Sequence, residues 1–65
     1  MPDPAMNEIQ VHDYARQLLD AHGTRAVAEA AHKAQACEQD GQHEQARAWR
    51  RIEAALKLMR GPNQG

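Results

Sequence analysis

The chain has no Phe and no Ser, and only one Trp, one Tyr and one Cys. Each shortage removes an explanation. Without Ser there is no serine nucleophile and no serine triad to assemble. The single Cys37 has no partner for an internal disulfide, and no secretory signal is legible, so the sequence predicts a reducing, cytoplasmic setting. No apolar run approaches the roughly 20 residues that cross a bilayer, so no membrane segment is expected. There is no Gly-rich phosphate loop and no pair of carboxylates beside a legible pocket. A chain of 65 residues has little material for a sizeable pocket, so no catalysis is predicted.

Charge of one sign is also lacking. The net charge is −1 with 26% charged residues, which fits neither a disordered chain nor a general polyanion binder. The distribution is uneven. Met1 to Asp40 carries three Lys/Arg against seven Asp/Glu, and Gly41 to Gly65 carries five against two. The early part is therefore acidic and the last part basic, and the two attract each other within one chain or between copies.

What is present is helical rhythm. Met1 to Met6 holds two prolines and reads as an extended lead-in over 1–7. Asn7, with Gln10 three residues on, reads as a capping box that opens a first helix near Glu8–His22. Val11, Tyr14, Ala15, Leu18, Leu19 and His22 then recur at helical spacing along one face. Gly23 is the stop signal.

Thr24 reads as the N-cap of a second helix, near Thr24–Glu38. Six of the eleven residues from Ala26 to Ala36 are Ala, which favours helix and lets neighbours approach closely. Val27, Ala30, Ala31, Ala34 and Cys37 form its expected buried stripe, and Glu29 and Lys33 an i, i+4 ion pair. Gly41 leaves room only for a tight turn into a third helix, near His43–Arg60. There Ala46, Trp49, Ile52, Leu56 and Met59 face inward, with Ala48 and Ala55 on the flank, and Glu53 and Lys57 pair on the surface. Gly61-Pro62 ends that helix, and 61–65 reads as a mobile tail. The fold class is thus all-α: a small three-helix bundle over 8–60, with helices two and three forming an antiparallel αα-hairpin.

Candidate chemistry is sparse. An i, i+4 ligand pair is the simplest way to build a site on one helix, and the spacing is read as giving none of His12, His22, His32 and His43 such a pair with another His, Cys or Glu, so no metal site and no cofactor are predicted. Cys37 lies on the Ala stripe and reads as a small buried residue. Tyr14 and Trp49 carry all the aromatic area and fall on the inward stripes, where they serve the core or anchor an interface. Arg47, Arg50, Arg51, Lys57 and Arg60 make a basic side on the third helix, either a solvated face or a surface for an acidic partner or a phosphate backbone.

Two resemblances follow from these residues. Gly41 followed by Ala46 resembles the turn-to-second-helix spacing of a tetratricopeptide unit, but Trp49 comes one residue before the aromatic position and Glu53 occupies a small-residue position. The second covers Val11 to Leu58: Tyr14-Ala15-x-x-Leu18-Leu19-x-x-His22-Gly23, an Ala-rich helix, Gly41, then Trp49-x-x-Ile52-x-x-Ala55. It is similar to a family of short bacterial all-helical proteins of unknown function. That resemblance implies the helical fold and brings no activity, cofactor or site residue.

Few large apolar side chains are available for a core, and small domains are marginal in stability. The sequence therefore predicts a homodimer that acts as a non-catalytic protein-interaction or regulatory module, through an apolar strip left between the first and third helices or through the basic face at Arg47, Arg50 and Arg51. Its candidate partner-binding residues are Arg47, Arg50, Arg51, Trp49 and Tyr14. The alternative is a small nucleic-acid-binding protein using the basic face of the third helix, which the negative net charge disfavours.

Overall fold

The computed structural model describes residues 2–60, with Arg60 through its backbone only. The expected tail at 61–65, with its Gly61-Pro62 stop, lies outside the described residues. Three helices make up the fold: α1 (Glu8–His22), α2 (Arg25–Gln39) and α3 (His43–Arg60). No strand occurs among the described residues.

Local chemistry sets most boundaries. At the start of α1 the capping box closes in both directions: Gln10 N donates to Asn7 Oδ1 at 2.8 Å, and Asn7 N donates to Gln10 Oε1 at 3.0 Å. Two of the orphan amides of the first turn are thereby satisfied. Gly23 ends the helix at φ +65°, and its N–H donates to Leu19 O at 2.8 Å. A side chain there meets nothing within 4 Å, so glycine is wanted for its backbone and not for space.

The start of α2 departs from expectation. Thr24 has helical angles, φ −65° and ψ −16°, and its side chain caps nothing. A cap residue needs extended angles to reach back to the first-turn amides. The two-residue link from α1 denies Thr24 those angles, and Ala26 N donates to Gly23 O instead, at 3.0 Å. Thr24 still holds the cap position and the helix runs Arg25–Gln39, within a residue of the expected bounds; what fails is the cap bond.

The α2–α3 turn is fully bonded. Gln42 N donates to Cys37 O at 2.8 Å and Gly41 N to Glu38 O at 3.2 Å, with Gly41 at φ +80°. These two bonds are the pair that defines a Schellman motif. It reverses the chain and makes the two helices an antiparallel hairpin.

The core is small-residue on one side and large-residue on the other. α2 contributes Ala26, Ala30, Ala34 and Cys37, and α3 contributes Ala46, Trp49, Ile52, Ala55 and Leu56. α2 and α3 make the most extensive contact of any helix pair, and α1 and α2 the least. α1 supplies Val11 and Ala15 to the core, while Tyr14, Leu18 and Leu19 are half-buried against it and His22 is exposed. The inward face of α2 is rotated from the expected stripe: Ala26 is buried, whereas Val27 and Ala31 are only half-buried. α2 must meet both neighbours, and only its smallest side chains fit where both converge. The Met59 side chain is likewise half-buried.

The lead-in is not simply extended. Asp3 accepts from Ala5 N through Oδ1 at 2.9 Å and from Met6 N through its backbone O at 3.0 Å, which makes a turn at Pro4 and Ala5. Pro2 is buried and Met6 half-buried. Arg51 Nη1 donates to Met6 O at 2.7 Å, tying this segment to α3 across 45 residues of sequence.

Candidate functional site

The basic side of α3 is divided among several internal partners. Arg50 forks across the hairpin onto Glu38, with Nε to Oε2 at 3.4 Å and Nη2 to Oε1 at 3.3 Å. Its Nη1 also donates to Glu53 Oε1 at 3.0 Å. Donating to Glu38, and secondarily to Glu53, raises the Arg50 pKa above its ordinary value. Glu53 in turn holds Lys57 at 3.3 Å, the i, i+4 pair that the sequence predicts. Arg51 reaches Glu8 Oε2 at 3.8 Å as well as the Met6 carbonyl. Arg47 is exposed and pairs with no carboxylate among the described residues. The structure therefore brings Arg50 onto α2 and its own helix, and Arg51 onto the lead-in and the start of α1, and leaves Arg47 apart.

The aromatic residues do meet. Tyr14 and Trp49 stand edge to face, with centroids 5.9 Å apart and planes at 83°. This is a favoured aromatic geometry. Trp49 is only 4% exposed. Its Nε1 is enclosed without a hydrogen-bond partner, as is Gln45 Oε1 one turn earlier on α3. Trp49 thus serves first as a packing residue. Lys33 Nζ lies 5.9 Å from the Trp49 ring centroid, a cation–π distance. That placement corrects the expected Glu29–Lys33 pair. Glu29 turns instead toward His22 Nδ1 at 3.4 Å and Arg25 Nη2 at 3.9 Å. The reason is local: α1 ends beside the first turn of α2, so His22 comes within reach of Glu29.

Two grooves border these groups. One of about 280 Å³ lies over Trp49 between Tyr14 and Leu18 on one wall and Glu29 and Lys33 on the other. The second, of about 240 Å³, runs along α1 and α3 beside Val11, His12, Arg51, Ala55 and Leu58. Next to it stand the most exposed large aliphatics of the chain: Ile9 is 80% exposed and Leu58 74%. Sequence reasoning offers an apolar strip between the first and third helices but singles out neither Ile9 nor Leu58. The signal was available, because neither fits the inward stripe of its own helix.

Among the described residues no three His, Cys, Asp or Glu side chains gather as a metal site. Glu8 and His12 do stand at i, i+4 and approach to 3.9 Å, a pair the sequence reading overlooked, but it has no third member. Cys37 is buried in the core and unpaired. No helix among the described residues is long and apolar enough to cross a membrane. No protein-family model matches this chain, and neither a curated protein nor a solved structure does.

Proposed function

We propose that the chain is a non-catalytic protein-interaction module that works as a homodimer in the reducing cytoplasm. The observation that carries the protein reading over the nucleic-acid one is the internal pairing of α3's cations. Arg50 is shared by Glu38 and Glu53, Lys57 is held by Glu53, and Arg51 is engaged by Met6 O and Glu8. A phosphate backbone binds through free Lys and Arg charges and their released counterions. At Arg50, Arg51 and Lys57 each such contact must first compete with a carboxylate already in place, which leaves Arg47 the one side chain of that face, among the described residues, with no carboxylate partner. Trp49, buried at 4% exposure, offers no face on which a base can stack. The homodimer part is supported by the thin core, in which Ile52, Leu56 and Val11 are the only large aliphatics fully enclosed among the described residues. Cys37, free and buried, suits a reducing compartment.

The test replaces Arg47, Arg50 and Arg51 together with Gln and follows partner capture and its salt dependence. The protein reading expects capture to change little between low and physiological salt. Binding of nucleic acid that survives physiological salt, falls steeply above it and vanishes in the triple variant contradicts that reading.

A further inference from the structure

The groove over Trp49 joins an apolar wall to a single uncompensated charge. Tyr14 and Leu18, both half-buried, form the wall, and Ala30 and Trp49, both buried, close the floor. Facing them are His22 at the end of α1 and Glu29 and Lys33 on α2. Glu29 is already engaged, by His22 Nδ1 at 3.4 Å and Arg25 Nη2 at 3.9 Å. Lys33 has no carboxylate partner among the described residues. Its ammonium stands 5.9 Å from the Trp49 ring centroid, where attraction to the ring holds it at the groove. The Lys33 side chain is exposed, so an anion that reaches Nζ displaces only solvent.

We propose that this groove receives the C-terminal residue of a partner polypeptide, its large apolar side chain against Tyr14 and Leu18 and its terminal carboxylate on Lys33 Nζ. This inference rests on the protein-interaction reading above and adds the part of the partner that is recognised. Charge complementarity sets the sign of the occupant: Lys33 is the one uncompensated charge lining the groove, so the occupant is anionic. The apolar wall sets the rest. Asp and Glu carry their charge at the tip of their one side chain, which leaves nothing for Tyr14 and Leu18. Only the last residue of a polypeptide bears a carboxylate and an apolar side chain on the same carbon. Size agrees: about 280 Å³ lies just under the roughly 300–1,000 Å³ of pockets for drug-sized ligands, room for one residue and not for a helix. Capture of a chain terminus is a recurring mode of peptide recognition.

NMR titration of the full chain tests the groove with three probes: an acetylated glycine-rich peptide ending in leucine, as the free acid and as the C-terminal amide, and the free acid of the same peptide ending in glycine. The chain has one Trp, so a single indole N–H signal reports on the groove. The leucine free acid is expected to shift that signal and the Lys33 amide saturably. It should bind several-fold tighter than its amide, the scale of one solvent-edge ion pair, and tighter than the glycine peptide, which lacks the apolar side chain. Lys33→Gln, at an exposed site, is expected to bring acid and amide to equal affinity with the fold unchanged. Equal affinities in the wild type, or shifts away from the groove, overturn the proposal. Protein capture from cell extract is expected to fall in Lys33→Gln and after carboxypeptidase treatment of the extract. Capture indifferent to both overturns the partner terminus as occupant and leaves the protein-interaction reading standing, whereas nucleic-acid binding at physiological salt overturns that reading itself.

Discussion

The seam between α2 and α3 and the seam between α1 and α3 are built from different material. In the first, Ala30, Ala34 and Cys37 lie under Trp49, Ile52 and Leu56, and the Arg50 fork onto Glu38 closes the edge. In the second, Val11 and Ala15 are buried but Ile9 and Leu58 beside them stand in water. Small side chains on α2 let α3 come close enough for its large residues to be enclosed on that side. α1 brings larger residues of its own, and Tyr14, Leu18 and Leu19 end half-covered. Two sides of one helix thus teach that a lean neighbour finishes a seam, whereas a bulky neighbour leaves large side chains in water.

The largest effect expected is at the finished seam. Ile52→Ala should lower stability by about 2–5 kcal/mol, since it empties a site with no solvent access. Leu58→Ala, six residues on but outside, should change the stability of separated chains by no more than about 0.5 kcal/mol. Urea unfolding at low chain concentration measures both, and equal losses would erase the distinction between the seams. Next comes overpacking. Ala34→Leu should cost about 1–3 kcal/mol at a fully buried position, while Ala28→Leu on the exposed side of α2 should be nearly neutral. A tolerated leucine at position 34 would mean that the helices can part without loss. Smallest are the helix starts. Asn7→Ala should cost about 1 kcal/mol, because it removes a working cap. Thr24→Ala should cost only a few tenths, because that hydroxyl caps nothing. The same melts compare the two.

Much of the architecture was legible, for identifiable reasons. The capping box at Asn7 and Gln10 is local chemistry within four residues, and α1 begins and ends where it predicts. Gly41 likewise announces the hairpin. Thr24 misled because its residue type suits a cap while its backbone, confined by the short link, does not. The candidate site was less legible. Spacing along α3 puts Arg50 and Arg51 on the helix surface, but Glu38 lies twelve residues from Arg50, and Met6 and Glu8 lie more than forty from Arg51. Only the folded chain shows those charges engaged. The pattern from Tyr14 to Ala55 illustrates the same limit. Its Gly23 and Gly41 take positive φ, and its Trp49, Ile52 and Ala55 are buried. Such positions are fixed by folding and carry no statement about activity.

The homodimer reading is the centre of this account, and the melting temperature as a function of chain concentration tests it most directly. A partner that binds only the folded chain raises Tm as its concentration rises. The wild type should show a Tm that climbs with concentration. A wild-type Tm independent of concentration, from low to high micromolar, would contradict the homodimer reading.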